Sequence, residues 1–186
     1  PCTLTLSWRD GHVLASTTDR LPDGDTRLPC LGRALGAGLW TAAFALESGA
    51  PVYGLGEKFG KLDKRGELVH SQVEDAQGVN TGQSWRNVPF AWSPGNGRGA
   101  WGTFVATPGM VTHGVGHPDW SHRSHALVVE DEALDLVLFA GDTPAALLAA
   151  FASLAGHAPA LPRWSLGLWA AGGHDTVLEV GAGARA

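Results

Sequence analysis

The 186-residue sequence contains no apolar run long enough to cross a bilayer, which takes about 18 residues or more. Its start, Pro1-Cys2-Thr3-Leu4, shows neither the basic stretch nor the apolar core of a secretory signal. Only 17% of the residues are charged, and the formal net charge is −5. Such a chain does not supply the clustered cations that bind phosphates. These absences argue against membrane and nucleic-acid partners and predict a cytoplasmic protein.

Cysteine is scarce as well, with only Cys2 and Cys30 in the chain. Two thiols without C-x-x-C spacing make neither a disulfide framework nor a zinc knuckle. We expect two free thiols, and a single Cys2–Cys30 bridge is the alternative. The motifs G-x-S-x-G and H-E-x-x-H are absent, and Gly54-x-Gly56-x-x-x-Gly60 misses the dinucleotide fingerprint by one residue. A tight turn is expected there, and no cofactor is predicted.

Most of residues 1–140 have the pattern of short strands. Leu4, Leu6 and Trp8 alternate with polar residues, and Asp10-Gly11 predicts a hairpin to the next strand. The other strand candidates, each bounded by turn residues, are 12–18, 40–46, 68–73, 88–92, 100–106, 111–115, 126–129 and 133–139. Residues 21–38 are predicted to be a loop. This pattern indicates a mainly β chain, folded as an antiparallel sandwich or barrel.

A helix is predicted to follow the strands. Asp142 or Thr143 supplies its N-cap, and Pro144 fits a first turn in which no amide donor is needed. Apolar residues then share one face, and Gly156 and Pro159 end the helix. The residues on that face are Leu147, Leu148, Phe151 and Leu154.

Beyond Pro162 the pattern changes. Residues 164–171 form a near-continuous apolar run, which is typical of a strand buried on both faces. Thr176 and Glu179 have the spacing of a capping box, so residues 177–186 are predicted to begin a helix. We therefore divide the chain into a β-sandwich domain, residues 1–162, and the start of an α/β domain, residues 163–186.

Four histidines are the best metal candidates, and Asp119 lies among them. Imidazole and carboxylate ligands suit zinc, but the spacing is irregular and Pro118 indicates an ordered loop. A polar loop between strands is favoured, and no metal site is predicted. The four are His113, His117, His122 and His125.

The three lysines of the chain, Lys58, Lys61 and Lys64, lie in one stretch beside Arg65. Such a cluster could serve a phosphate site. Acidic residues are interleaved with the lysines and cancel much of their field. A solvated or salt-bridged loop is therefore favoured.

Two further features bear on sugar chemistry. The eight tryptophans could stack on sugar rings, but their strand context favours core packing for at least six of them. Glycoside hydrolysis needs two facing carboxyl groups. The clusters Glu74-Asp75 and Glu130-Asp131-Glu132 offer none, because adjacent residues of a strand point to opposite faces. The residues of this chain thus present no active site of their own.

The order of four segments resembles glycoside hydrolase family 31, which includes α-glucosidases and α-xylosidases. Tyr53 to Gly66 is similar to a glycine-rich segment of the family's N-terminal domain, and Gln83 to Phe90 is similar to its Y-K-N-I-P-F strand. Gly141-Asp142-Thr143-Pro144 resembles the start of the helix that leaves the sandwich. Leu161 to Trp169 resembles the entry to the first barrel strand.

The resemblance implies a galactose-mutarotase-like β-sandwich followed by a (β/α)₈ barrel. It also implies a retaining enzyme with one aspartate as nucleophile and another as acid/base, both in the barrel beyond Ala186. No catalytic residue is therefore expected in this chain, which should be inactive when isolated. The implied partners are an oligosaccharide or α-glycoside substrate and the barrel of the same polypeptide; self-association is left open.

One site residue follows from the resemblance. In the family, an N-domain loop contributes an aspartate to the sugar-binding site, and Asp75 is the matching residue here. A carboxylate there can accept hydrogen bonds from two sugar hydroxyls. Val73 and Glu74 precede it, where the family commonly has an asparagine and an aromatic residue. The alternative is that Asp75 serves only as a turn residue near Gly78. Two other functions stay open, a stand-alone carbohydrate-binding sandwich and a structural interaction domain.

Overall fold

The computed structural model describes residues 3–17, 31–34, 38–74, 84–167 and 169. The chain forms two compact units, Pro1–Leu154 and Ala155–Ala186. Cys2, Cys30 and the helix predicted over residues 177–186 lie outside the described residues.

Within the described residues, the first unit contains eleven strands and the helix α1, which ends one residue beyond it. The strands are β1 (Thr5–Ser7), β2 (Val13–Ser16), β3 (Leu31–Ala34), β4 (Leu39–Ala45), β5 (Tyr53–Gly54), β6 (Leu68–His70), β7 (Phe90–Ser93), β8 (Ala100–Val105), β9 (Val111–Val115), β10 (Ser124–Val129) and β11 (Leu136–Gly141). The helix α1 is Pro144–Ala155.

The strands form a hairpin and two larger sheets. β1 and β2 make the predicted hairpin, in which Leu6 lies opposite Ala15. The five-stranded sheet has the order β3-β4-β10-β9-β6, and the four-stranded sheet has the order β11-β8-β7-β5. All pairs between these strands are antiparallel. The predicted mainly β, antiparallel sandwich is thereby confirmed.

The main hydrophobic core lies between the two sheets. Phe44, Val111 and Leu127 enter it from the five-stranded sheet, and Trp101 and Val105 enter it from the four-stranded sheet. Alternate residues of a strand point to opposite faces, so one set of alternate positions in β8 and β9 supplies this core. Burial of this apolar surface is the main stabilising contribution to the sandwich.

A second cluster covers the other face of the four-stranded sheet. Phe90, Phe139 and Leu147 are buried there, and Phe151 of α1 packs against them. The rings of Phe90 and Phe151 are stacked with their centroids 3.9 Å apart. The four-stranded sheet is therefore covered on both faces, by the five-stranded sheet on one side and by α1 on the other.

The helix begins and ends as its sequence predicts. The Thr143 hydroxyl accepts a hydrogen bond from the Ala146 amide at 3.2 Å, so Thr143 supplies the cap. The helix ends at Ala155, directly before Gly156. Leu147 is fully buried, whereas Leu154 on the predicted apolar face is 57% exposed.

Two predictions of local structure are wrong. Residues 21–38 do not form a continuous loop, because Leu31–Ala34 is a strand paired with β4, Leu31 opposite Ala42. The run 164–171 is not a strand in its described part, where Arg163–Leu166 forms a 3₁₀ helix. An apolar run forms a buried strand only where neighbouring strands pair with it, and the described residues pair no strand with this one. The side chains of Trp164, Leu166 and Trp169 are 72–76% exposed.

The prediction that at least six tryptophans pack in the core is also wrong. Trp101 is buried, and Trp8, Trp40, Trp92 and Trp120 are half-buried. The other three are exposed, namely Trp85, Trp164 and Trp169. Strand-like neighbours in the sequence did not distinguish core positions from exposed positions.

Candidate functional site

The turn after β5 has an unusual backbone. Gly54, Leu55 and Gly56 have φ angles of 106°, 69° and 78°, so three successive residues are in the left-handed region. A side chain at Gly54 would place its Cβ 2.3 Å from the Phe90 carbonyl oxygen. Leu55 adopts this conformation with its side chain fully buried in the main core. A bulky residue at positive φ is strained and is held only where its surroundings fix it. The predicted tight turn is confirmed.

This turn is tied closely to residues 86–88. The Glu57 amide donates to the Arg86 carbonyl at 2.8 Å. A Cβ at Gly56 would lie 2.4 Å from the same oxygen and 2.7 Å from the Val88 nitrogen. The turn and residues 86–88 are therefore in direct backbone contact, and their relative position is fixed.

The cations that follow this turn bind the protein's own carbonyl groups. Lys64 is 5% exposed, and its ammonium donates to the Lys61 carbonyl at 2.5 Å. Arg65 donates to the carbonyls of Ala50 and His122 at 2.9 and 3.2 Å. The expected solvated or salt-bridged state is seen for Lys61, whose ammonium lies 3.4 Å from Glu67. Arg65 therefore ties the loop to the rest of the sandwich, whereas the Lys64 ammonium binds a carbonyl of the loop itself.

Lys58 and Asn87 form a polar network beside the turn. The Lys58 ammonium donates to the His70 carbonyl at 2.7 Å and to the Asn87 side-chain oxygen. The Asn87 amide nitrogen donates to the carbonyls of Gln72 and Ser84 at 2.8 and 2.9 Å. The Ser84 hydroxyl donates to the Asn87 oxygen at 3.2 Å. All four hydrogen-bonding positions of the amide are thus used. We call these side chains, Lys58, Ser84 and Asn87, the Lys58–Asn87 network.

The electrostatics of Lys58 reflect its position. Burial lowers the pKa of Lys58 to about 8, and the nearby charge of Lys64 contributes to the shift. Burial also lowers the pKa of Lys64. A half-buried lysine with a depressed pKa is more common near functional sites than on an ordinary surface.

The network lies at the base of the segment that carries Asp75. Val73 pairs with Ser84 in a parallel bridge, and the Glu74 amide donates to the Ser84 carbonyl at 3.3 Å. The chain before residue 75 and the chain after residue 83 therefore run side by side. Asp75 itself lies outside the described residues. The exposed side chains of Val73 and Trp85 flank this base.

Two of the four predicted metal-candidate histidines lie in the core rather than in a polar loop. His113 of β9 and His125 of β10 are fully buried, and His113 Nδ1 lies 3.1 Å from His125 Nε2. Burial lowers the pKa of His125 to about 4. Burial, with the charges of His125, Lys58 and His70, lowers the pKa of His113 well below its usual range. We call His113 and His125 the histidine pair.

The histidine pair is only half satisfied. His113 Nε2 and His125 Nδ1 have no hydrogen-bond partner among the described residues. The nitrogens that approach each other form one hydrogen bond, so they are not arranged to hold a metal between them. Among the described ranges, no group of three or more histidine, cysteine or acidic residues could hold a metal ion.

The second acidic cluster stabilises a turn. Asp131 accepts hydrogen bonds from the Thr107 hydroxyl and, at 2.6 Å, from the Glu132 amide. The Thr107 hydroxyl and the backbone amides lower the pKa of Asp131. Glu130 and Glu132 are exposed. A carboxylate with these local partners is a turn-forming group rather than a reacting one.

A family described as the glycosyl hydrolase 31 N-terminal galactose mutarotase-like domain matches residues 2–112. The chain belongs to this family. The matched range includes the Gly54–Gly56 turn, the lysine-rich loop and the Lys58–Asn87 network. It also includes two of the four segments that carried the resemblance in the sequence.

Curated relatives of the glycosyl hydrolase 31 family agree with this assignment. An alpha-xylosidase from Emericella nidulans is 34% identical over 134 residues, 71% of this chain and 16% of that enzyme. A 1,3-alpha-isomaltosidase from Kribbella flavida is 33% identical over 135 residues, 68% of this chain and 17% of that enzyme. The chain thus spans less than a fifth of the length of these relatives.

Solved structures of the glycosyl hydrolase 31 family share the fold. The cycloalternan-degrading enzyme from Trueperella pyogenes, in complex with isomaltose, superposes with a TM-score of 0.66 at 26% identity. The match covers 79% of this chain and 22% of that enzyme. The Flavobacterium johnsoniae GH31 dextranase complexed with glucose gives a TM-score of 0.69 at 19% identity, over 89% of this chain and 19% of that one. At 19% identity, the similarity to the dextranase shows a shared fold only.

Sequence reasoning missed the Lys58–Asn87 network and the histidine pair. All three residues of the network lie in segments that resemble the family, so the signal was present, but nothing local joins Lys58 to Asn87, which is 29 residues away. The histidine pair was hidden because His113 and His125 occupy inward positions that usually carry apolar residues.

No described helix is both long and apolar enough to cross a membrane.

Proposed function

We propose that this chain is the N-terminal domain of a retaining α-glycosidase that removes terminal α-xylosyl or α-glucosyl residues. The observation that carries the proposal is the family match over residues 2–112. Two curated relatives at 33–34% identity are an alpha-xylosidase and a 1,3-alpha-isomaltosidase. The catalytic aspartates would lie in the barrel of the same polypeptide, and this chain would not hydrolyse glycosides alone.

The first proposed role of the domain is to support that barrel. Residues 1–162 would be the sandwich domain, and residues 163–186 would begin the barrel. In support, the apolar side chains of Trp164, Leu166 and Trp169 are 72–76% exposed. Large apolar side chains concentrated in so short a stretch are usually covered in the complete assembly. Strong protection of the backbone amides of residues 163–186 from hydrogen exchange in the isolated monomer would contradict this role.

The second proposed role is to line one wall of the substrate pocket with Asp75. Its support is the chain geometry at residues 73–74 and 84, which closes the base of the segment by backbone pairing. A carboxylate can accept two hydrogen bonds from vicinal sugar hydroxyls. Asp75 would thus bind substrate without taking part in bond cleavage.

The test is steady-state kinetics of the full-length enzyme with p-nitrophenyl α-D-xyloside and p-nitrophenyl α-D-glucoside. We expect Asp75→Ala to raise KM about tenfold or more, because a hydrogen bond to a charged group is worth about 1.5–3 kcal/mol. Glu74→Ala is the matched control, since Glu74 is an exposed carboxylate one residue away. If only Glu74→Ala raises KM, the sugar-binding role belongs to Glu74 rather than to Asp75. If neither variant changes KM, the proposed sugar contact of this segment is wrong.

A stand-alone carbohydrate-binding sandwich is the second candidate. The exposed side chains of Trp85, Trp164 and Trp169 favour it, because aromatic rings stack on the apolar faces of sugars. Saturable quenching of tryptophan fluorescence by isomaltose in the isolated chain would support this function. A cytoplasmic location and self-association remain predictions, which cell fractionation and sedimentation of the full-length enzyme would test.

A further inference from the structure

We propose that the outer face of α1 is a docking surface for the catalytic barrel of the same polypeptide. The proposal rests on the proposed function, which supplies the barrel, and it names the surface through which the sandwich would hold that barrel. The outer face is the apolar stripe of α1 that lies opposite Leu147. Its side chains are Ala145, Leu148, Ala149 and Ala152.

The helix α1 carries no charged residue. Its twelve residues are alanine, leucine, phenylalanine, proline and a single serine. The Ser153 hydroxyl donates to the Ala149 carbonyl at 2.9 Å, so this polar group is satisfied within the helix. A helix that borders solvent has polar side chains opposite its buried stripe, whereas a helix that is apolar on all sides is buried. The composition of α1 is therefore that of a helix covered on more than one side.

The sandwich covers the inner side of α1. Leu147 is fully buried, and the ring of Phe151 stacks on that of Phe90 at 3.9 Å between centroids. These contacts bury the helix against the four-stranded sheet. They account for one apolar stripe of α1 and leave the remaining apolar positions unexplained.

The outer face is a second apolar stripe, and it is open to solvent. Residues 145, 148, 149 and 152 have the spacing i, i+3, i+4 and i+7 of one helix face. At about 100° per residue, the centre of this face lies about 150° around the helix from Leu147. Ala145 and Ala149 are exposed, Ala152 is half-buried, and Leu148 is 40% exposed. Such a stripe is explained by a partner that covers it.

The chain that follows α1 is the occupant that the observations favour. Consecutive elements are usually adjacent in space. In the sequence, residues 156–162 alone separate α1 from the segment in which Trp164 and Leu166 are 76% and 74% exposed. The match to the dextranase covers 89% of this chain and so extends beyond α1, yet it makes up only 19% of that enzyme. Most of such an enzyme lies outside the sandwich and is available to cover this helix.

The chemistry of the outer face suits another helix. Three of its four side chains are methyl groups, which let a second helix approach to about 8–10 Å between axes. The helices of a (β/α)₈ barrel form its outer ring. A sugar would need hydrogen-bonding side chains, which the outer face does not offer. The absence of charge is typical of the core of a protein interface.

Thiol labelling of the full-length enzyme tests whether the outer face is covered. Ala149→Cys places a thiol at this face. Ala150→Cys is the matched control, because Ala150 is also exposed and lies about 150° from the centre of the face. Labelling by iodoacetamide is measured by mass spectrometry in the tryptic peptide 124–163, which contains no native cysteine.

We expect Ala149→Cys to react about tenfold or more slowly than Ala150→Cys in the native enzyme, because thiol reactivity depends on exposure. In urea, where the chain is unfolded, the two rates should agree within about threefold. Ala145→Cys lies on the same face and should be protected like Ala149→Cys, so it provides a second test if one variant fails to fold.

Equal labelling of Ala149→Cys and Ala150→Cys in the native enzyme would overturn the proposal. Protection that disappears on dilution of the enzyme would assign the outer face to a second copy of the chain and would overturn it as well. Hydrolysis of the two p-nitrophenyl glycosides by the wild-type enzyme tests the proposed function separately. An active enzyme with an open outer face refutes the docking surface alone, whereas an inactive enzyme with a protected face refutes the glycosidase activity alone.

Discussion

The Lys58–Asn87 network and the histidine pair are two polar clusters of one sandwich, and they differ in how their hydrogen-bonding groups are used. Asn87 uses all four positions of its amide, with partners on three segments of the chain. His113 and His125 share one hydrogen bond, and each has a nitrogen without a described partner. A satisfied network ties segments together, whereas a half-satisfied pair lowers stability when protons are added. The Lys58–Asn87 network is therefore a fully bonded tie between chain segments, whereas the histidine pair is a weak point in the core.

The largest expected effect comes from removing the centre of the network. Asn87→Leu removes the four hydrogen bonds of the amide, although Lys58 keeps the His70 carbonyl and the Ser84 carbonyl keeps the Glu74 amide. A hydrogen bond contributes about 1 kcal/mol on average, so we expect the free energy of unfolding to fall by about 3–4 kcal/mol. Urea denaturation at pH 7 measures the difference.

The matched control for this variant is Asn96→Leu. Asn96 is exposed, and among the described residues its amide donates to the Glu47 carboxylate alone. Exposed contacts of this kind contribute little, so we expect a change below about 1 kcal/mol. Equal losses for the two variants would mean that the network has no special importance for stability.

The next effect is the acid sensitivity of the histidine pair. Burial lowers the pKa of His125 to about 4, whereas an unfolded histidine titrates near 6.5. Between these values the unfolded chain binds more protons than the folded chain, so stability is complete above pH 6.5 and falls as the pH drops toward 4. His125 alone corresponds to a loss of roughly 3 kcal/mol at about 1.4 kcal/mol per pKa unit.

Urea denaturation at pH 7, 6, 5 and 4 would measure this loss. The charged groups that act on the pair are Lys58 and His70, and both disfavour protonation of His113 further. A free energy of unfolding that stays constant from pH 7 to pH 4 would show that the pair is not buried in neutral form.

The smallest effect is expected from replacing both imidazoles together. His113→Leu/His125→Leu removes two unpartnered nitrogens along with the hydrogen bond, so stability at pH 7 should change by less than about 2 kcal/mol in either direction. The same variant should lose much of the acid sensitivity. Retention of the full wild-type pH dependence would assign that sensitivity to carboxylates elsewhere.

Short apolar stretches and their bounding turn residues predicted a large part of the fold, because each depends on burial and turn formation within one strand and its neighbours in the sequence. The stretches 100–106 and 133–139, each bounded by turn residues, correctly predicted β8 and overlap β11. The turn at Asp10-Gly11 and the cap at Thr143 were also correct, since both depend on neighbouring residues. β3 was missed because Gly32 and Arg33 weaken its pattern, and its stability comes from pairing with β4.

The candidate site was less accessible to sequence reasoning because its contacts span long distances along the chain. Lys58 and Asn87 meet across 29 residues, and Arg65 and His122 meet across 57. Charge patterns alone treated these cations as solvated, although they satisfy carbonyls of the sandwich. The histidines were assigned to a polar loop because their spacing is irregular and Pro118 lies among them, although His113 falls within the predicted strand 111–115. Asp75 came from family resemblance and stays a prediction.

The left-handed turn at Gly54, Leu55 and Gly56 limits how far this sequence can vary. Any side chain at Gly54 or Gly56 would place its Cβ within 2.4 Å of a carbonyl oxygen. Neither clash is with a movable side-chain tip, so no rotamer change can relieve it. In a library of single substitutions, these two positions should therefore tolerate almost no replacement, whereas the exposed Leu62 should accept many. We therefore expect the two glycines of the turn to stay unchanged while the loops around it accept substitutions.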